Sequence, residues 1–196
     1  PKDKLWATIF EGGEGVEADE EAETIWRSFR DINPEQVLRF DKKDNFWEMG
    51  DVGPCGPCSE LHIDLGDGTC PLSEKHDCSV NLEGCWRFVE LWNLVFIQYQ
   101  RFLDGHLEPL AAQHVDTGMG LERAAVILQG KNNIYETDLF VPVIEKACEL
   151  TGKIYGQDQQ TDYALRVVAE HARSAAFLIG VGVVPGNVGR GYVLRR

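Results

Sequence analysis

The sequence predicts an α+β fold: an antiparallel sheet with flanking helices over residues 1–151, then the start of an all-helical domain at 152–196. Three observations predict it. Extended apolar segments crowd the chain up to Gly120, the longest at 88–101. Helical periodicity takes over from Leu121 onward. The polar, glycine-bearing stretch 152–161 separates two helical runs and reads as a linker.

The elements follow in order. Residues 4–10 (KLWATIF) read as a buried strand. Ala22, Ile25, Trp26 and Phe29 recur at helical spacing, so 20–29 is an amphipathic helix, ended by Asn33-Pro34. Residues 37–40 form a short strand and 41–45 a polar turn. Residues 46–53 and 60–64 are extended. Between them Gly53-Pro54-Cys55-Gly56-Pro57-Cys58 reads as a rigid turn, because Pro fixes φ and Gly relaxes it. Residues 66–84 are a polar loop. Along 88–101, Leu91, Asn93, Val95, Ile97 and Tyr99 share one strand face. Asp104-Gly105 turns the chain into a hairpin partner at 107–110.

Residues 114–120 are extended and glycine-punctuated; 121–129 form a helix closed by Gly130. A helix at 138–150 ends on Thr151-Gly152. The long helix at 162–179 carries a stripe of Leu165, Val168, Ala169, Ala172, Ala176 and Ile179. A glycine-rich loop spans 180–191, and Tyr192 starts a further helix. No internal repeat is visible.

Composition narrows the function classes. The 196 residues are 43% hydrophobic and 26% charged, a globular balance able to bury a core. No apolar run reaches the length of a membrane span, and no basic-then-apolar leader opens the chain, so the expected setting is the cytoplasm. The net charge of −13 is the reverse of the basic excess a dedicated nucleic-acid binder carries. Charge is uneven, however: 11–23 is strongly acidic, while the last 31 residues hold five Arg and one acid, Glu170. A local basic face at that end stays open. The chain opens at Pro1 without Met and closes on Tyr192-Val193-Leu194-Arg195-Arg196, so both ends read as cut.

Several residues stand out chemically. Gly118 and Gly120 let backbone approach a flat ligand, and Arg123 follows on the first turn of a helix, where a guanidinium stacks on a purine or grips phosphate. The alternative is an ordinary glycine turn with a solvated Arg. Asn93 interrupts the apolar run from Leu91 to Ile97; a buried amide needs a partner, either a ligand or a neighbouring loop. Asp116 lies two residues before Gly118 on the same strand face, as a site carboxylate or a surface one. Trp47 is a pocket wall or plain core packing.

Six cysteines are present, five of them between Cys55 and Cys85. With no export signal and ample apolar content, a disulfide framework is set aside. Cys55-x2-Cys58 has the spacing of half a zinc site, and Cys70, Cys78 and Cys85, with His62 and His76 nearby, could add ligands. Their spacings are loose, so reduced thiols are the preferred reading and zinc the alternative.

Four segments in order carry a resemblance: Asn45–Asp51 with Gly53–Glu60 (NFWEMGD, GPCGPCSE), 90–96 (ELWNLVF), 115–123 (VDTGMGLER) and 189–196 (GRGYVLRR). Together they resemble the class II alanine–tRNA ligases over nearly the whole chain. Residues 12–23 and the insertion at 67–84 match least. The resemblance implies a class II synthetase-like fold, with 1–151 the C-terminal part of the catalytic domain and 152–196 the start of the helical tRNA-recognition domain. It implies ATP with Mg²⁺, alanine and the acceptor stem of tRNA(Ala) as ligands, and no membrane.

By resemblance Gly118, Gly120 and Arg123 belong to motif 3 and contact ATP. Asp116 and Asn93 meet the alanine ammonium, and Trp47 helps place the amino acid. Asn187 and Arg190 approach the tRNA, the alternative being a helix-entry loop with solvated Arg. Some relatives extend the Cys55-x2-Cys58 pair into CxxC-x6-HxxH; here those later positions are Leu65 and Gly68, so that set is absent. Motifs 1 and 2 would precede Pro1 and an editing domain would follow Arg196, so the piece is expected to be inactive alone. A non-catalytic tRNA-contacting or zinc-binding module on the same fold stays open as the second class.

Overall fold

The computed structural model describes residues 2–70 and 77–196; His76 therefore lies outside the described residues. The chain divides into two compact units, Pro1–Ala124 and Ala125–Arg196.

The first unit is built on a six-stranded sheet. Its strands are β1 (Leu5–Phe10), β2 (Val37–Phe40), β3 (Phe46–Glu48), β4 (Gly53–Asp64), β5 (Phe88–Arg101) and β6 (Leu107–Met119). The order is β2-β1-β4-β5-β6, with β3 pairing β4 beside β1. All pairings are antiparallel except β1 with β2, which is parallel. That exception has a cause in the sequence. Helix α1 (Glu20–Ser28) lies between the two strands, and a parallel pair needs such a crossover. Asp19 caps α1 by accepting from the Ala22 amide at 2.9 Å, and the Trp26 indole N–H docks on Ser59 of β4 at 2.6 Å.

Three expectations are corrected. Residues 53–58 are not a turn: they open β4, whose 12 residues run unbroken through both prolines. Pro57 sits inside a register shift between Cys55 and Cys58, where a missing N–H costs no ladder bond of regular spacing. Residues 41–45 are not merely a polar turn: Asp41 caps a short helix, α2 (Lys42–Asn45), through the Lys43 amide at 2.8 Å. The two extended pieces expected at 107–110 and 114–120 join into one strand. A register break remains between the pairs Tyr99–Pro109 and Ile97–His114.

The core of this unit forms two apolar clusters. Ala7, Ile32 and Val37 make one, with Trp26 and Leu61 against it; Phe10, Phe46 and Cys55 make the other, with Tyr99 and Leu107.

Helix α3 (Leu121–Leu128) contains the division between the units. The second unit continues with α4 (Val141–Thr151), α5 (Gln159–Gly180) and α6 (Gly189–Arg195). Phe140, Ile144 and Ala169 form its core, so α4 and α5 pack together. The 152–161 stretch, read from the sequence as a domain linker, here joins two helices of one unit. The compact boundary falls earlier, after Ala124. Gly152 ends α4 in the left-handed region at φ 67°, and Asp158 caps α5 at the Thr161 amide, 2.9 Å away. Helix α4 starts at Val141, later than its periodicity suggests, with Pro142 in its first turn.

Candidate functional site

Strand register places one polar row across the sheet. Thr8 of β1 pairs with Glu60 of β4, Glu60 with Asn93 of β5, and Asn93 with Gly118 of β6. The next row carries Cys58, Val95 and Asp116. Because strand side chains alternate, Asn93 and Val95, and Asp116 and Gly118, share one face. A cleft of about 240 Å³ opens on that face, lined by Trp47, Asn93, Val95, Asp116, Thr117 and Gly118. It brings together Trp47, Asn93, Asp116 and Gly118, four of the residues singled out in the sequence.

Glu60 organises the row, and the sequence reading missed it. Its side chain is only 10% exposed. One carboxylate oxygen receives the Thr8 hydroxyl at 3.4 Å, His62 Nε2 at 3.0 Å and the Asn81 amide at 3.3 Å; the other receives Asn93 Nδ2 at 3.3 Å. Thr8 in turn accepts from Asn45 Nδ2 at 2.8 Å. Buried carboxylates are tolerated when fully hydrogen-bonded, and these donors meet that need.

The consequence for Asn93 is directional. A carboxylate accepts, so it fixes the amide nitrogen of Asn93 toward Glu60 and turns the oxygen away from it. Asn93 Oδ1 is buried and has no hydrogen-bond partner among the described residues. A buried acceptor lining a cleft is suited to a ligand cation. Asp116 supplies a carboxylate one row away. It is exposed rather than enclosed, because β6 is the edge strand of the described sheet.

Arg123 does not line this cleft. Its guanidinium donates to the Glu90 carbonyl at 3.0 Å and the Glu90 carboxylate at 2.7 Å, and its aliphatic stem lies over Gly120, 3.3 Å from where a Cβ would stand. About half of the Arg123 side chain stays exposed, so the head keeps free faces for another ligand.

The cysteines separate into two places. Cys70, Cys78 and Cys85 converge, their sulfur atoms within 4.8 Å of one another. Cys55 and Cys58 do not join them, which corrects the five-cysteine set. Cys55 packs with Phe10 and Phe46. The Cys58 thiol donates to the Asp44 carbonyl at 3.8 Å, and burial pushes it up to about 12.

At the far end, Asn187 and Arg190 are exposed, on and beside α6. Asn187 accepts a hydrogen bond from Arg195. Among the described residues no helix is long and apolar enough to cross a membrane.

The six-stranded sheet with flanking helices is consistent with a class II synthetase fold, and comparison with known proteins shows the family. The family model for tRNA synthetases class II (A) matches residues 1–196, and the chain belongs to that family. Within it, the similar relatives carry one name. Alanine–tRNA ligase of Chlorobium chlorochromatii is 52% identical over 198 residues, covering all of this chain and 21% of the relative. That of Solibacter usitatus is 52% identical over 196 residues, covering all of this chain and 22% of the relative. That of Chlorobaculum tepidum is 51% identical over 201 residues, again the whole chain and 21% of the relative. The chain thus spans about a fifth of the length of the curated relatives it matches.

Proposed function

We propose that this chain carries the amino-acid half-site of an alanine–tRNA ligase. The longer protein would activate alanine with MgATP to alanyl-adenylate and transfer the alanine to tRNA(Ala) in the cytoplasm. The observation that carries the reading is the cleft holding Trp47 of β3, Asn93 of β5 and Asp116 of β6. At about 240 Å³ it suits a small ligand rather than a drug-sized one. The Asn93 oxygen and the Asp116 carboxylate would take the alanine ammonium, with Trp47 as a wall.

In this reading the carboxylate oxygen of alanine attacks the α-phosphorus of ATP, a phosphorus–oxygen bond forms, and pyrophosphate leaves with the electron pair. No covalent enzyme intermediate is needed. The described residues contribute by placing the nucleophile, since orientation alone accounts for a large part of such barriers. Arg123, beside Gly118 and Gly120, would meet ATP with the face that Glu90 leaves free. Mg²⁺ enters with the nucleotide. Residues 152–196 would begin the tRNA-recognition domain, with Asn187 and Arg190 toward the acceptor stem.

The test is ATP–pyrophosphate exchange by the longer protein carrying Asp116→Asn. Loss of the counter-charge should lower the alanine-dependent rate at least about 100-fold, matching the few kcal/mol of a charge-assisted pair. Exchange with unchanged apparent affinity for alanine would remove Asp116 from the site.

A further inference from the structure

The loop between β4 and β5 lies outside the cleft lining, yet it holds the densest group of metal-ligating atoms among the described residues. Cys70, Cys78 and Cys85 come from separate points of that loop, with sulfur atoms mutually within 4.8 Å. Cys70 is buried and the other two are half-buried. Two thiolates on a tetrahedral zinc, each about 2.3 Å from the metal, stand about 3.8 Å apart, so the observed triangle closes on an ion with little movement.

The surroundings are built to hold the loop in one shape. Arg87 forks onto Asp64 at 2.6 and 2.7 Å, and the Leu65 amide bonds the Arg87 carbonyl at 2.9 Å, which ties the loop's two ends. Val80 is buried, and Asn81, in the left-handed region at φ 56°, reaches Glu60. The described residues of the loop, 65–70 and 77–87, form no helix or strand, so something must offset the conformational entropy of bringing three thiols together. A disulfide would join two sulfurs and strand the third, and none of the six cysteines forms one. Three soft thiolates at one point are a donor set for Zn²⁺.

We infer that Cys70, Cys78 and Cys85 bind a structural zinc ion that fixes the β4–β5 loop. On binding, each thiol releases one proton to solvent and forms one sulfur–zinc bond, and a water completes the tetrahedron; no oxidation state changes. The inference does not rest on the proposed enzymatic reaction, because metal content is read without it.

The experiment is elemental analysis of the full chain after dialysis into metal-free buffer. We expect about one zinc per chain, falling below about a tenth in the double variant Cys78→Ser/Cys85→Ser and unchanged in Cys148→Ser. Because the double variant could lose its fold, the unaltered chain is also reconstituted with Co²⁺. Tetrahedral d–d bands with near-ultraviolet thiolate-to-cobalt charge transfer support the site. Absence of both zinc and these bands, zinc retained in the double variant, or zinc lost on Cys55→Ser instead would each overturn it.

Discussion

A methyl group at Gly56 would lie 2.0 Å from the Phe96 carbonyl oxygen and 3.0 Å from the Gln98 nitrogen, both backbone. Neither can yield, so Gly56→Ala should destabilise the fold by more than about 3 kcal/mol, read as a fall in denaturation midpoint. Gly118 is the opposite case. A Cβ there meets nothing within 4 Å, and its backbone needs no glycine. Gly118→Ala should therefore change stability by less than about 0.5 kcal/mol while occupying part of the cleft. Weaker alanine binding in calorimetry, at an unaltered midpoint, is the expected result. The contrast shows what was legible at this scale. Gly118, Asn93, Asp116 and Trp47 stood out by type and setting. Glu60 did not, because its donors come from positions 8, 62, 81 and 93, and only strand register collects them.

Among the elements, most strands and helices were readable from alternation and periodicity, and β5 matched residue for residue. The misreadings share a cause. Gly-Pro-rich residues 53–58 look like a turn locally, but the close approach of β4 to β5 at Gly56 and a register shift hold them extended. The parallel β1–β2 pair likewise follows from tertiary packing of α1. The loop between β4 and β5 offers an acid test. Arg87 holds the Asp64 carboxyl below its usual 3.8. A depressed carboxylate contributes stability above the unfolded-state value, and that contribution is lost as pH falls through the folded one. Arg87→Met should cost about 1–3 kcal/mol between pH 5 and 7, and the gap from the unaltered chain should close below about pH 3.9. Denaturant titrations at a series of pH values check this; a gap that persists in acid would mean the Asp64 pair is not its source.

Over the whole molecule, the charge of −13 and the arginines of the last helices pull in different directions. Screening over about 8 Å at physiological salt lets local charge govern contact. In the longer protein Arg190→Ala should weaken tRNA binding and lower the slope of log affinity against log salt by about one. Asn187→Ala should reduce aminoacylation while leaving pyrophosphate exchange intact. If both variants damage exchange, the loop before α6 supports the nucleotide site instead.

The polar row through Thr8, Glu60, Asn93 and Gly118 also carries a timetable. The β5–β6 hairpin closes across a tight turn, whereas Asn93 and Glu60 are 33 residues apart and Thr8 and Glu60 are 52 apart. Short closures come early in folding and long ones late. The hairpin would thus form first, β4 would dock on it, and β1 would seal the row last. The cleft walls come from β3, β5 and β6, but Glu60, which orients Asn93 on that wall, gains its Thr8 donor only when β1 docks. Recovery of ligand binding after a jump from denaturant should coincide with the slowest phase, so the site itself reports when the sheet is finished.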